Sequence, residues 1–351
     1  MRIALISTFK SMGGISVHTR ELFLGFRKLN HEVTVIPETN WPAVLATEHY
    51  LASLNGGFDI VNVQGTSDRA AIVAGLIASR GLVGGCVCTS HGFSPPKWYG
   101  RTVWRKVMRG TLRRYGAMIS ISRFVEHRLS QALGEDGPDL FTVYDGVDPD
   151  LFNPAVDSGA LRDRMGLAGK KVVLYVGRIT EKKGVHHLLR AFAIASNQAS
   201  GLALVYCGKG SMDQTLRTMT EQMGLAGNVL FAGPIPHDQL PPYYAMCDVL
   251  AVPSTYENLG LSPLEAMSCG RPVVASDTGG LPEIVEHMKT GLLVSPGDPA
   301  ALAQSLLTLV QDDEMAQRFG DSGRKAVLER YTTAKCLEAT IGVYRTVLRH
   351  G

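Results

Sequence analysis

Short apolar runs rich in β-branched residues alternate along the chain with longer stretches in which apolar residues recur every three or four positions. The short runs are typical of buried strands, and the longer stretches have the period of amphipathic helices. This alternation predicts parallel sheets covered by helices on both faces. The predicted strands cover residues 3–7, 33–36, 60–63, 86–89, 118–121 and 141–143 in the first half, and 172–176, 202–207, 229–231, 249–252 and 273–275 in the second.

Helix signals lie between these strands. Asp298 and Pro299 form a good helix start, an N-cap followed by proline at the first helical position. A terminal helix is predicted over residues 333–349, and another follows the first strand. The residues expected on the inner stripes are Leu22, Phe23, Phe26 and Leu29; Leu302, Leu306 and Leu309; and Leu337, Ile341, Tyr344 and Leu348.

The chain predicts two domains. Residues 153–169 contain Asn153-Pro154 and two glycines, and the strand–helix pattern restarts after them. We therefore place a Rossmann-like N-terminal domain at residues 1–165 and a second one at residues 166–333. Two such domains facing each other would bind a ligand in the cleft at the carboxyl ends of their strands.

Composition excludes several classes of protein. The 351 residues are 45% apolar and 19% charged, an ordinary globular balance. The six cysteines show no paired framework and no C-x-x-C spacing, which favours reduced thiols in a cytoplasmic protein. No apolar run reaches the roughly 18 residues of a membrane span, and the N-terminus lacks a signal-peptide pattern. An integral membrane protein, a secreted disulfide scaffold and a disordered chain are all disfavoured.

Charge is unevenly distributed. The net charge of +3 is too small to indicate nucleic-acid binding, but residues 1–170 carry +4 and the remainder −1. No acidic residue lies between Asp68 and Glu126, whereas ten basic residues do. They are Arg69, Arg80, Lys97, Arg101, Arg105, Lys106, Arg109, Arg113, Arg114 and Arg123.

Residues 97–114 are the centre of this basic region. Arginines recur every four residues from Arg101 to Arg113, and Trp104, Met108 and Leu112 form a parallel apolar row. This composition is that of a helix lying on an anionic membrane surface. It also fits a helix packed by its apolar row with a solvated basic face, and the sequence leaves both interpretations open.

The densest group of candidate chemical residues lies between residues 253 and 297. Glu257 and Glu265 are separated by seven residues, and Ser262 to Glu265 has the form of a capping box with Pro263 at the first helical position. The loop before such a helix would present backbone N–H groups to an anionic or hydroxyl-rich ligand. By itself this pattern favours a Glu265 that caps its own helix and a solvated Glu257.

The same stretch resembles the retaining glycosyltransferases of family 4 (glycosyl transferases group 1), which have the GT-B fold. The resemblance lies in Glu257 and Glu265 with their seven-residue spacing, in the Gly-Arg-Pro-Val-Val-Ala-Ser run of residues 270–276, and in the Gly-Gly-Leu-Pro-Glu loop of residues 279–283. It implies that Glu257 contacts the donor sugar and Glu265 the ribose hydroxyls. Backbone amides around Asn258, Leu259 and Gly260 would meet the sugar and diphosphate. Leu259 departs from the family's usual phenylalanine.

A second cluster follows the strand at residues 172–176. Alone, Arg178 and Lys183 would be a solvated loop with a mild preference for phosphate. Within the resemblance they match the pair that binds the donor diphosphate. Fixed cations there favour a transition state in which the leaving nucleoside diphosphate gains negative charge.

The resemblance assigns further residues. Gly13 and Gly14 match a glycine pair whose amides face the donor phosphate and the acceptor, and Gly208 is placed in the donor-binding loops. Gly208-Lys209-Gly210 lacks the third glycine of a nicotinamide-binding motif. His91, alone more typical of a structural histidine, matches the family's active-site histidine.

Weaker candidates accompany these residues. Ser120 and Ser122 follow the neighbouring strand, and Ser122 could equally cap the next helix. Asp145 replaces the asparagine of the family's Asn-Gly-Val-Asp hinge, and the terminal helix (334–351) is expected to return to the N-terminal domain. No Asp-x-Asp metal motif is flanked by strand and turn, so no metal and no cofactor are expected.

These residues predict an enzyme that moves a sugar, with retention and without a metal, from a UDP- or GDP-sugar to an acceptor hydroxyl. The expected acceptor is lipid-linked or belongs to a polysaccharide or glycoconjugate, met by a peripheral protein at the inner face of the cell membrane. A sugar-nucleotide epimerase of the same fold and a transferase with a small soluble acceptor are the alternatives.

Overall fold

The alternation of strands and helices builds two parallel sheets, one in each of two units. In this computed structural model the described residues are 1–7, 14–37, 57–65, 83–92, 110, 112–135 and 137–350. Unit 1 comprises Met1–Gly146 and Thr333–Gly351, and unit 2 comprises Val147–Thr332. Each unit has its own hydrophobic core.

Unit 1 holds a six-stranded sheet of order β2-β1-β3-β4-β5-β6, in which every pair of neighbours is parallel. Its described elements, in chain order, are β1 (Arg2–Ser7), α1 (Gly14–Lys28), β2 (Glu32–Pro37), β3 (Ile60–Gln64), β4 (Gly85–Ser90), β5 (Ala117–Ser120), α2 (Arg123–Leu133) and β6 (Asp139–Thr142).

Unit 2 repeats the architecture with a six-stranded parallel sheet of order β12-β11-β10-β7-β8-β9. Its elements are α3 (Gly159–Arg164), β7 (Lys171–Val176), α4 (Val185–Ser196), β8 (Leu202–Cys207), α5 (Asp213–Gln222), β9 (Val229–Gly233), α6 (Pro241–Met246), β10 (Val249–Val252), α7 (Leu261–Ser268), β11 (Val273–Ser276), α8 (Leu281–Ile284), β12 (Gly291–Val294), α9 (Pro299–Gln311) and α10 (Asp313–Arg330). The predicted fold class, two Rossmann-like parallel sheets with flanking helices, is confirmed.

The last helix, α11 (Thr333–His350), belongs to unit 1. Leu337, Ile341 and Tyr344 are buried in the unit 1 core beside Ile3 and Val87. The apolar stripe of this helix therefore covers the sheet formed by the other end of the chain.

The boundary between the units differs from the predicted one at residue 165. Residues 147–165 belong to unit 2, where Phe152 is fully buried against His237 and Tyr244. Arg162 donates hydrogen bonds to the carbonyls of Met246 and Lys170, at 2.5 and 2.6 Å. The Asn153-Pro154 turn therefore lies inside unit 2, after the chain has left unit 1.

Local signals succeeded where the side chain itself makes the contact. The Asp298 carboxylate accepts from the N–H groups of Ala300 and Ala301 at 3.0 Å, so the predicted N-cap of α9 is confirmed.

Leu29 is exposed because α1 ends one residue before it, which makes its predicted inward position wrong. The short strand β12 was not predicted. All six cysteines are free and buried.

Among the helices of the described part of the chain, none is long and apolar enough to cross a membrane.

Candidate functional site

The turn after β7 is the first element of the unit 2 site. The Tyr175 hydroxyl donates to the Arg178 carbonyl at 2.7 Å, which fixes the chain as it leaves the sheet. Residues 181–183 form a single 3-10 turn before α4, and Gly184 follows it in the left-handed conformation (φ 65°). A Cβ at Gly184 would lie 1.9 Å from the Pro253 carbonyl oxygen. Glycine therefore allows this turn to pack directly against the loop that follows β10.

Close packing of these two loops brings a predicted cation to a predicted carboxylate. Lys183 Nζ forms an ion pair with Glu257 Oε2, and both side chains are partly exposed. The Ser254 hydroxyl donates to the same carboxylate oxygen at 3.2 Å. The Thr255 N–H donates to the Lys182 carbonyl at 2.9 Å, which ties one loop to the other. The structure thus joins residues 74 positions apart.

The Gly-Gly-Leu-Pro-Glu loop meets the same carboxylate-bearing loop. Gly280 donates its N–H to the Glu257 carbonyl at 3.2 Å. A Cβ at Gly279, where φ is 60°, would lie 1.7 Å from that carbonyl oxygen. The Glu257 backbone is therefore held by this loop, while its side chain pairs with Lys183 of the β7 turn.

Arg178 lies at the same end of the sheet with its side chain exposed. Among the described residues, no carboxylate lies within ion-pair distance of its guanidinium. Burial raises the pKa of the nearby Tyr175 hydroxyl, and the charge of Glu257 raises it further, so Tyr175 remains a neutral donor. Arg178 is an exposed cation available to an anionic ligand.

The predicted capping box is wrong. Helix α7 begins at Leu261, its N-cap is Gly260, and no side chain caps it. Pro263 accordingly lies inside the first turn rather than at the first helical position. The first N–H groups of a helix have no intrahelical acceptor, so this end keeps its capacity to bind an acceptor group.

Glu265 makes a buried hydrogen-bond cluster of its own instead. His237 Nε2 lies 2.7 Å from Oε1, and the Tyr244 hydroxyl donates to Oε2 at 2.5 Å. Burial raises the pKa of Tyr244, and the charge of Glu265 adds to the rise, so the phenol keeps its proton. Sequence reasoning did not single out His237 or Tyr244, because each lies more than 20 residues from Glu265 in the chain.

The structure separates the remaining unit 2 candidates. The Leu259 side chain is buried in the core, so only its backbone can reach a ligand, while Asn258 and Gly260 are partly exposed. The Gly208 N–H donates to the Gly233 carbonyl at 2.7 Å, which places the loop after β8 beside the end of β9. Lys183 and Glu257 form one set of contacts, and Glu265 forms another with His237 and Tyr244.

Unit 1 holds His91 directly after β4. The imidazole is 9% exposed, and its Nε2 lies 3.0 Å from Oε1 of Gln64, the last residue of β3. Burial lowers the pKa of His91 to about 4, and the nearby His18 contributes to the shift. His91 is therefore neutral at physiological pH and acts through hydrogen bonds.

Two further side chains surround His91. The His18 ring, from α1, meets the His91 ring nearly at right angles, with centroids 4.7 Å apart. His18 Nδ1 lies 2.8 Å from Asp145 Oδ1. The sequence did not single out His18, although a histidine on an inward face of α1 is a usable signal. Asp145, noted as a departure from the family's hinge, is buried here.

The other unit 1 candidates are less informative. Gly14 is exposed at the start of α1, and Gly13 lies outside the described residues. Ser122 accepts a hydrogen bond from the Val125 N–H at 3.2 Å and so caps α2, while Ser120 is buried in β5. Most of the basic segment 97–114 also lies outside the residues that the structure describes.

In the part of the chain that the structure describes, no group of three or more His, Cys, Asp or Glu side chains is arranged to hold a metal ion.

Comparison with known proteins gives matches to both units. The family model described as "Glycosyl transferases group 1" matches residues 159–326, and the model described as "Glycosyltransferase Family 4" matches residues 38–151. The GDP-mannose-dependent alpha-(1-6)-phosphatidylinositol monomannoside mannosyltransferase of Mycolicibacterium smegmatis is 32% identical over 88% of this chain and 81% of its own length.

Two other similarities extend over nearly the whole chain. The alpha-maltose-1-phosphate synthase of Mycolicibacterium smegmatis is 28% identical over 99% of this chain and 100% of its own length. The crystal structure of Anabaena HepE in complex with UDP superposes with a TM-score of 0.85 at 22% identity, covering 97% of this chain and 99% of that one.

Proposed function

This chain belongs to glycosyltransferase family 4, the glycosyl transferases group 1, and from that premise we propose that it transfers a sugar with retention from a nucleoside-diphosphate sugar to an acceptor hydroxyl. The observation that carries the proposal is the Lys183–Glu257 ion pair, with the exposed Arg178 at the same end of the sheet. Two cations beside a carboxylate provide charges for a diphosphate and an acceptor for sugar hydroxyls.

Lys183 can bind the Glu257 carboxylate and the donor diphosphate at the same time. An ammonium has three N–H donors, and Glu257 occupies one of them. The other donors are then available to phosphate oxygens, while Arg178 binds the diphosphate through its guanidinium fork. We infer that these cations stabilise the charge that develops on the leaving nucleoside diphosphate and that no metal ion is required.

The proposed reaction breaks the bond between the anomeric carbon and the phosphate oxygen. The acceptor oxygen attacks from the face that the phosphate leaves, and its proton passes to the departing phosphate oxygen. Glu257 would hold a hydroxyl of the donor sugar, and Glu265, through its unused lone pairs, would accept from the ribose hydroxyls. Unit 1 would bind the acceptor, with His91 hydrogen-bonded to a substrate hydroxyl.

The donor and acceptor are proposed from the relatives. The Mycolicibacterium smegmatis mannosyltransferase is described as using GDP-mannose and phosphatidylinositol monomannoside, and Anabaena HepE has been solved with UDP and with UDP-glucose. We propose a GDP- or UDP-sugar donor and a lipid-linked or other glycoconjugate acceptor at the inner face of the cell membrane. The ten basic residues between Asp68 and Glu126 supply the attraction to anionic lipid.

Product analysis tests the reaction. The enzyme is incubated with GDP-mannose or UDP-glucose, with and without a lipid-linked acceptor, and the product is examined by NMR for its anomeric configuration. We expect nucleoside diphosphate release and an α-linked product from the α-configured donor. Conversion of the donor sugar in the absence of any acceptor would instead identify a sugar-nucleotide epimerase.

Vesicle co-sedimentation tests the membrane surface. Binding should be stronger to vesicles that contain anionic lipid than to neutral ones, and added salt should weaken it. Equal binding to both kinds of vesicle would contradict electrostatic docking and favour a small soluble acceptor.

A further inference from the structure

Beside His91, the carboxyl edge of the unit 1 sheet contains polar side chains that the proposed reaction does not yet use. Gln64 ends β3, His91 follows β4, and Asp145 lies beyond β6, while His18 reaches the same place from α1. All four are less than 10% exposed. Buried polar groups are costly unless they are hydrogen-bonded, so their arrangement calls for a reason beyond packing.

The contacts form a continuous chain. Asp145 Oδ1 lies 2.8 Å from His18 Nδ1, the His18 ring packs on the His91 ring, and His91 Nε2 lies 3.0 Å from Gln64 Oε1. Each member touches the next, and His91 is held between a ring on one side and an amide on the other.

Asp145 is the anchor of this chain. Burial alone raises the pKa of its carboxyl, but the charge of the adjacent His18 outweighs burial, and the pKa is lowered from its ordinary value. Asp145 is therefore ionised and pairs with His18, whose Nδ1 lies 2.8 Å from Asp145 Oδ1. That contact holds the His18 ring in place and with it the surface on which His91 packs.

We propose that His18 and Asp145 are positioning residues that hold His91 in one orientation, with its proton on Nε2 and donated to Gln64. This inference rests on the proposed function in one respect, the role of His91 toward a substrate hydroxyl. A fixed ring presents its hydrogen-bonding atoms at one angle and loses no rotational freedom when the substrate binds. His18 and Asp145 touch His91 or its neighbour and are not themselves catalytic.

Three variants separate the contact with Asp145 from the ring contact. Asp145→Leu removes the oxygen that faces His18 at similar volume, so we expect kcat to fall about 10-fold, and Asp145→Asn, which keeps an oxygen there, should restore kcat to within about threefold of wild type. Equal kcat values for Asp145→Leu and wild type would remove Asp145 from this role. His18→Asn keeps a donor for Asp145, which protects folding, but removes the ring beside His91. For it we expect kcat to fall about 10- to 100-fold while the KM for the donor changes little, since misplacement of a reacting group by about 1 Å has effects of this size.

Tyr344→Phe is the matched control. Its hydroxyl accepts a hydrogen bond from Asn62 Nδ2 at 2.7 Å, and Asn62 lies on β3 two residues before Gln64. The variant loses a buried polar contact of the same kind. It should lower the free energy of unfolding without changing kcat.

15N NMR of the full chain measures the tautomer of the His91 imidazole directly. The His91 resonances are assigned by their absence in His91→Gln. We expect the Nε2–H tautomer in wild type, Asp145→Asn and Tyr344→Phe, and a mixture of tautomers in His18→Asn. An Nδ1–H tautomer in wild type, or unchanged spectra and kcat in His18→Asn, would overturn the proposal. A wild-type protein that transfers no sugar would refute the proposed function, and the spectra would still decide the positioning of His91.

Discussion

The two units place opposite kinds of polar group at the carboxyl edges of similar sheets. In unit 2, Lys183, Glu257 and Arg178 are charged and at least partly exposed. In unit 1, His91 is buried and neutral, and it is connected through His18 to a buried carboxylate. An accessible cation can exchange water for phosphate at little cost, whereas a buried neutral imidazole is suited to fixing the direction of a hydroxyl.

This contrast predicts which substitutions act on the donor sugar nucleotide and which act on the orientation of His91. Removal of a charge in unit 2 should strongly weaken transfer from the donor. Changes in unit 1 should alter kcat, pH dependence and stability while leaving donor binding intact.

The largest effect is expected for Lys183→Ala. Loss of a fixed cation beside the diphosphate should lower transfer by about 100-fold or more, equivalent to about 3 kcal/mol. Lys182→Ala is the matched control, because this neighbouring lysine contacts the β10 loop through its carbonyl and its side chain is exposed. Steady-state kinetics of both variants test the difference, and equal losses in the two would contradict the role of Lys183.

Glu257→Gln should come next. The amide keeps the shape of the side chain but loses the charge that pairs with Lys183. A hydrogen bond to a charged group contributes about 1.5–3 kcal/mol, so transfer should fall roughly 10- to 100-fold. Glu181→Gln, on an exposed acid in the same loop region, should retain full transfer. A near wild-type transfer rate for Glu257→Gln would show that the Glu257 charge has no role in the reaction.

The third test concerns His91 and pH. The pKa of His91 is about 4 in the folded chain against 6.5 for an unperturbed histidine, so the unfolded chain binds more protons between these values. Stability should fall as the pH drops from 6.5 toward 4, by about 2 kcal/mol at pH 4.5 from this group. His91→Gln, which does not titrate, should lose less stability over that range.

Urea denaturation of wild type and His91→Gln at pH 6.5 and 4.5 measures this difference. His18 and Asp145 lie beside position 91 in both proteins, and their contributions largely cancel in the comparison. An identical pH dependence in both proteins would show that His91 is not buried in its neutral form.

The smallest effect is expected for Tyr244→Phe. This variant removes the hydroxyl that donates to Glu265 Oε2 and leaves His237 on the other oxygen. The free energy of unfolding should drop by about 1 kcal/mol, because one of the carboxylate's two protein partners remains. Donor KM should rise only a few-fold if Glu265 binds the ribose. Unchanged stability would mean that this hydrogen bond contributes nothing in solution.

The sequence revealed unit 2 more fully than unit 1. Glu257, Lys183 and Arg178 lie in compact motifs through which the chain resembles the family, and the structure joins Lys183 to Glu257. Most strands and the Asp298 cap could also be predicted, because each depends on residues adjacent in the chain. The fold class of both units followed from that local pattern.

What sequence reasoning missed depends on contacts between distant segments. His18, Gln64, His91 and Asp145 come from four separate segments of the chain, and no local pattern links them. The proposed capping box failed for a related reason. The Glu265 carboxylate is bound by His237 and Tyr244, so its tertiary partners replaced the cap that the local pattern favoured.

Binding of nucleoside diphosphates tests the central assignment most directly. GDP, UDP and ADP are added to wild type, Lys182→Ala and Lys183→Ala, and the midpoint of thermal unfolding is measured, since a ligand that binds only the folded state raises it. We predict that one of these diphosphates raises the Tm of wild type and of Lys182→Ala and leaves that of Lys183→Ala nearly unchanged. The absence of any shift in wild type, or an equal shift in Lys183→Ala, would contradict a diphosphate site built around Lys183 and Glu257.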